Sequence, residues 1–134
     1  MTQSKLVLIV EDNRASLMLA RDILQATGYR TLEAGTADEA LALAREHLPD
    51  LILMDIQLPH VDGVTALGWI KRDARLAAVP VVALTAFAMS DDRERFLQAG
   101  FAGYIAKPFD VADFVRDVAQ YCEGRAERGA GSED

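Results

Sequence analysis

Three short apolar runs, Leu6 to Val10, Leu51 to Met54 and Val79 to Leu84, constrain this chain more than any other feature. A strand wetted on one face alternates apolar and polar residues. These runs do not alternate, so they describe strands buried on both faces, the pattern of a parallel sheet covered by helices. Tyr29 to Ala34 and Gly103 to Ala106 read as two further strands. Pro80 lacks a backbone donor and fits only near the start of its strand.

The segments between the runs are helical in character. After Glu11-Asp12-Asn13 the first helix is expected to end near Gly28, whose freedom at positive φ suits a C-terminal cap. Thr36 and Glu39 form a capping-box signal. In the helix that follows, Ala37, Ala40, Leu41, Ala44 and Leu48 fall on one face, and Pro49 stops it. Asp62-Gly63 marks a turn into a helix carrying Leu67 and Ile70. Ser90 is placed to cap a helix with Asp91 and Asp92 in its first turn, favourable against the helix dipole. From Asp110 the last helix repeats apolar residues at Val111, Phe114, Val115, Val118 and Ala119.

Strands alternating with helices make the fold class α/β, a doubly wound five-stranded parallel sheet with right-handed crossovers. For five strands the flavodoxin-like order 2-1-3-4-5 is the common solution. It puts a ligand outside the carboxyl ends of the strands, near the switch point between strands 1 and 3.

The residues just past those carboxyl ends are Glu11 and Asp12, Asp55, Thr85, and Lys107, so all should converge at one edge. Three carboxylates held together repel one another unless a cation neutralises them. An all-oxygen acidic site without Cys or His suits Mg²⁺, which wants hard ligands and keeps several waters. A carboxylate can also attack a phosphoryl group, and Asp55 fits that role. Lys107 offers a permanent cation for a phosphoryl oxygen, with no competing partner expected. Thr85 offers a hydroxyl that can swing toward the phosphoryl group once it arrives.

Val10-Glu-Asp-Asn13, Leu53-Met-Asp-Ile-Gln-Leu-Pro59, Asp62-Gly63, Leu84-Thr-Ala86 and Lys107-Pro108 together resemble, in order and spacing, the signature of the response-regulator receiver domain of the CheY-like superfamily. The resemblance covers roughly residues 5–121 and extends to single-domain DivK-like receivers, and also to receivers attached to hybrid kinases. It implies a phosphorelay switch rather than an enzyme, with Asp55 phosphorylated by a histidine kinase or histidine phosphotransfer protein. It implies Mg²⁺ held by Asp12 and Asp55, by Glu11 directly or through water, and by the backbone carbonyl of Gln57. Thr85 would act as a switch together with an aromatic on strand 5, here Tyr104, and the Lys107-Pro108 peptide is often cis. A downstream protein partner would read the face made by the fourth helix, fifth strand and fifth helix, with Phe87 and Met89 as docking residues if exposed. The protein would be a monomer or a phosphorylation-dependent dimer.

Composition narrows the alternatives. A net charge of −7 disfavours direct nucleic-acid binding, which draws on clustered Lys and Arg. No apolar run approaches the length of a membrane helix, and no secretory signal opens the chain. Cys122 is the single cysteine, and with these features it points to a reducing cytoplasm. His47 and His60 read as surface histidines. The polar stretch 123–134 is expected to be a disordered tail, which favours a stand-alone regulator over a receiver fragment of a hybrid histidine kinase. An Asp-nucleophile phosphohydrolase of the haloacid dehalogenase type shares the α/β core and Mg²⁺. It needs a second acid two residues after the nucleophile, where this chain has Gln57. A dinucleotide-binding module is disfavoured because no glycine-rich phosphate loop follows a strand.

Overall fold

The structure is a computed structural model that describes residues 5–86 and 90–129, with the backbone alone for residues 90–93 and 123–129. Five strands alternate with five helices: β1 (Leu6–Val10), α1 (Arg14–Ala26), β2 (Arg30–Ala34), α2 (Ala37–His47), β3 (Leu51–Asp55), α3 (Gly63–Arg72), β4 (Val81–Thr85), α4 (Ser90–Ala99), β5 (Gly103–Ala106) and α5 (Val111–Gly129). The strands form one parallel sheet in the order β2-β1-β3-β4-β5, as the apolar runs predict.

Strand alternation divides the core into two layers. Leu8, Val10, Ile52, Met54, Val81 and Ala83 face a cluster that includes Ala40 and Ala44 of α2, Leu67 and Ile70 of α3, and Phe96 of α4. Val7, Ile9, Leu51, Leu53, Val82 and Leu84 face Ala20 and Leu24 of α1 and Phe114, Val118 and Cys122 of α5. Both faces of the three central strands are therefore dry, and each fully buried Leu or Phe side chain contributes roughly 1.5–3 kcal/mol. Such a sheet fixes strand register firmly, so residues just past the strand ends are held in place.

The helix ends follow the sequence signals with informative departures. Asn13 and Asp62 cap α1 and α3 by accepting from Ser16 N and Thr65 N at 2.9 and 2.8 Å. Asp110 caps α5 through Asp113 N at 3.0 Å and so lies just outside it. Thr36 accepts from Glu39 N at 3.2 Å, while Glu39 reaches back to Gly35 N at 2.8 Å, one residue beyond the usual reciprocal partner. Gly28 follows α1 with φ 98°, the left-handed geometry expected of it.

Two expectations are corrected. Leu48 does not continue the buried face of α2: it is the C-cap, at φ 50°, and its residue is half exposed. Proline disfavours a right-handed helical conformation in the residue before it, so Pro49 turns Leu48 out. β4 begins at Val81 rather than Val79, although the Pro80 carbonyl still accepts from Ile52 N at 3.0 Å. α5 runs through Gly129, and the rest of the expected tail, 130–134, lies outside the described residues.

Candidate phosphoryl-acceptor and cation site

The carboxyl ends of four strands deliver the predicted residues to one place. Oxygens of Glu11, Asp12 and Asp55 lie within 4.8 Å of one another, with Glu11 and Asp55 buried and Asp12 exposed. Each buried acid is held by the main chain that follows it. Asn13 N donates to Glu11 Oε2 at 3.1 Å, and Gln57 N donates to Asp55 Oδ1 at 2.9 Å. The turn after β3 is closed by Gly63 N donating to the Ile56 carbonyl at 2.9 Å. Gly63 permits this approach because a Cβ there would stand 2.7 Å from the Asp55 carbonyl oxygen.

Lys107 arrives from the other side. Its backbone N donates to the Thr85 carbonyl at 2.9 Å, which aligns the ends of β4 and β5, and its peptide bond to Pro108 is cis. The ammonium sits 2.5 Å from Glu11 Oε1 and 3.3 Å from Asp55 Oδ2. The expectation that Lys107 has no competing partner is therefore wrong: it is already the counterion of two buried acids. Converging strand ends bring cation and anions together before any ligand arrives.

The electrostatics follow from this crowding. Burial, followed by the hydrogen bond and charge of Asp55, pushes the Glu11 carboxyl up to about 7, with Lys107 and Asn13 N opposing the rise. Burial by itself would lower Lys107, but its hydrogen bond to Glu11 and the charges of Glu11 and Asp55 outweigh burial and hold it above its ordinary value. Such a site favours any hard cation that can share its carboxylates, and its oxygen-only donor set fits Mg²⁺.

Two hollows flank the cluster. One, of about 420 Å³, is lined by Glu11, Asp12, Arg14, Glu33 and Glu39 among others. The second, of about 240 Å³, lies between Asp55, Gln57, Thr85, Lys107, Arg95 and Phe96. Thr85 is thus on the wall of the cleft that Asp55 faces, as expected. Gln57 is exposed, and its backbone N–H serves Asp55 where a phosphohydrolase of the dehalogenase type would place a second acid.

Tyr104 is not part of the carboxylate cluster. It is half-buried on β5 and packs on Phe96, ring centroids 6.0 Å apart and tilted 57°. Phe96 also lines the Asp55 cleft, so one aromatic ring separates Tyr104 from the site. Phe87 and Met89 lie outside the described residues. His47 and His60 are exposed, as expected, and Cys122 is a core residue of α5. Arg95 was not foreseen. A helix position alone does not show that a side chain reaches a strand-end cleft, and no motif in the sequence contains it.

Comparison with known proteins agrees with the geometry. The family model described as the response regulator receiver domain matches residues 7–119. The polar-differentiation response regulator DivK of Brucella ovis is 50% identical over 118 residues, which cover 88% of this chain and 96% of that protein. Among solved structures, the receiver domain of a Pseudomonas aeruginosa sensor histidine kinase is 36% identical with a TM-score of 0.82, covering 90% of this chain and 98% of that one. It holds a magnesium ion coordinated in its active site cleft. A CheY-like receiver domain protein of Methanospirillum hungatei is 28% identical with a TM-score of 0.84, covering 94% of this chain and 99% of that one. Fold, strand-end chemistry and relatives converge: this chain belongs to the receiver domain family of response regulators, the switch components of two-component signalling.

Proposed function

We propose that Asp55 is the phosphoryl acceptor of this receiver. The observation that carries the reading is the placement of its carboxylate, buried beside Glu11 and Asp12, oriented by Gln57 N and opened to a cleft that Thr85 and Lys107 line. The Asp55 oxygen attacks phosphorus of a phosphohistidine on a histidine kinase or phosphotransfer protein. The new O–P bond forms as the N–P bond breaks, and the imidazole leaves with the electron pair.

Glu11, Asp12 and Asp55, with the Gln57 carbonyl, are the residues that would hold Mg²⁺, which when bound offsets charge on the phosphoryl oxygens. The magnesium in the Pseudomonas receiver's cleft supports this assignment. Lys107 shifts from Glu11 toward the phosphoryl oxygens, exchanging one anionic partner for another, and Thr85 donates its hydroxyl to the same group. Tyr104 responds through Phe96, and the α4, β5 and α5 face presents the change to a protein partner. A hollow of about 280 Å³ between Leu97, Tyr104, Asp117 and Tyr121 lies on that face. Similarity to the polar-differentiation response regulator DivK supports a regulatory role; the proposed regulator acts through other proteins in the cytoplasm, as a monomer or a phosphorylation-dependent dimer. Among the described residues no helix is long and apolar enough to cross a membrane.

The test is mass spectrometry of the intact protein after incubation with acetyl phosphate and Mg²⁺. A single addition of about 80 Da is expected, the mass of one phosphoryl group on a carboxylate. Labelling of Asp55→Asn equal to that of wild type would overturn the assignment.

A further inference from the structure

We propose that His60 is a positioning residue for the acceptor turn: a left-handed backbone bend, stiffened by its Cβ, holds the Asp55 carboxylate and the Gln57 main chain in place before any ligand arrives. The inference rests on Asp55 being the phosphoryl acceptor. It concerns a residue that the sequence marks only as a surface histidine.

The bend is unusual for its residue type. His60 has φ 68°, and the next residue, Val61, donates its N–H to the Pro59 carbonyl at 2.7 Å. A hydrogen bond closed over three residues with a positive central φ is the strained form of the γ-turn. Strain of this kind persists only where the surroundings impose it, and it gathers at functional sites.

Contacts on both sides of the bend impose it. Leu58 is buried in the core cluster shared with α2 and α3, and Val61 packs against the same cluster. Gly63 N is bound to the Ile56 carbonyl at 2.9 Å, and Asp62 is committed to Thr65 N as the cap of α3. The chain therefore has only residues 57–62 in which to leave β3 and return. Pro59 has a fixed φ, so the reversal falls on His60.

The start of this loop carries the site. Gln57 N donates to Asp55 Oδ1 at 2.9 Å, and the Gln57 carbonyl is among the proposed cation ligands. His60 is exposed, so the bend is a property of the backbone rather than of a packed imidazole. A residue with a Cβ has one small allowed region at positive φ, whereas glycine has a wide one. Fixed at its base by Gly63 and at its tip by His60, the loop has little freedom left to lose when ligands bind. Glycine at position 60 relieves the strain and returns that freedom, so stability and reactivity should move in opposite directions.

The experiment compares the full chain as wild type, His60→Gly and His60→Asn. Asparagine keeps a Cβ and tolerates the left-handed region, so it removes the imidazole without freeing the bend. Three quantities are read: the urea midpoint, the rate of labelling by acetyl phosphate with Mg²⁺, and amide hydrogen exchange across residues 57–62 before any addition. His60→Gly should unfold at a midpoint no lower than wild type, label about three- to tenfold more slowly and exchange faster in the loop. His60→Asn should match wild type in all three. Wild-type labelling and exchange in His60→Gly would overturn the proposal while leaving the Asp55 reading intact. Slower labelling of His60→Gly with a lowered urea midpoint would do the same, since it signals ordinary loss of stability. Equal slowing of His60→Asn would also overturn it, by assigning the effect to the imidazole. Absence of labelling in wild type would overturn both readings.

Discussion

The two ends of the sheet use the same kinds of charged residue with different emphasis, although Asp73 also pairs with Arg45 at the amino end and main-chain N–H groups also hold Glu11 and Asp55 at the carboxyl end. At the amino end, Asp50 accepts from Leu6 N at 2.9 Å, and Lys71 donates to the carbonyls of Ala77 and Val79 at 3.2 and 3.3 Å. At the carboxyl end, Lys107 is paired with Glu11 and Asp55, side chain to side chain. A charge satisfied by the main chain is fixed with the fold. One satisfied by another charge can exchange partners when a new ion arrives. The first end closes the structure, and the second holds charges that the proposed phosphorylation would re-pair.

The largest expected effect separates the two aspartates. Asp55→Asn should abolish labelling by acetyl phosphate, whereas Asp50→Asn should be labelled like wild type. Equal labelling of both variants would erase the distinction between the ends. Next in size, Lys107→Met should destabilise the metal-free protein by about 3 kcal/mol at pH 8, because it leaves buried acids without their cation. Adding Glu11→Gln should recover much of that loss, and urea unfolding of the two variants and the double variant measures the coupling.

Glu11 itself sets a pH dependence. Its carboxyl is raised from 4.5 to about 7, so the folded state holds the proton more tightly than the unfolded state does. The stability this contributes is fully present below pH 4.5 and is lost as pH rises through 7. Without Mg²⁺ the loss should be on the order of 3 kcal/mol across that window. Glu11→Gln should flatten the profile, and a wild-type curve that rises between pH 5 and 7 would contradict the sign.

The backbone-paired charges should give smaller effects. Lys71→Met should cost about 1–2 kcal/mol by leaving two carbonyls without their donor, with labelling unchanged. Asp62→Ala, which removes the cap of α3, should cost about 1 kcal/mol at neutral pH. Hydrogen bonds from Thr65 hold the Asp62 carboxyl below its ordinary 3.8. Its contribution should therefore be present above pH 4 and fade as pH falls through the lowered value, visible as convergence of the two proteins in acid unfolding curves.

The fold was legible because double-sided burial leaves a plain mark in the sequence: Leu6 to Val10 and Leu51 to Met54 could be little else than inner strands. Given the strand order, Glu11, Asp12, Asp55, Thr85 and Lys107 had to meet at one edge. Side-chain reach was not legible. That Lys107 bonds Glu11, that Arg95 enters the Asp55 cleft and that Phe96 stands between the cleft and Tyr104 depend on helix placement that no spacing rule encodes.

Gly63 carries a mechanical consequence. With no space for even a methyl group between α3 and the end of β3, the acceptor turn and that helix form one rigid jaw. With that side closely packed, phosphorylation of Asp55 as proposed should displace chiefly the strand ends across the cleft, those bearing Thr85 and Lys107. A side chain introduced at position 63 would loosen the anvil against which the switch is struck, and the signal would weaken even where the chemistry still ran.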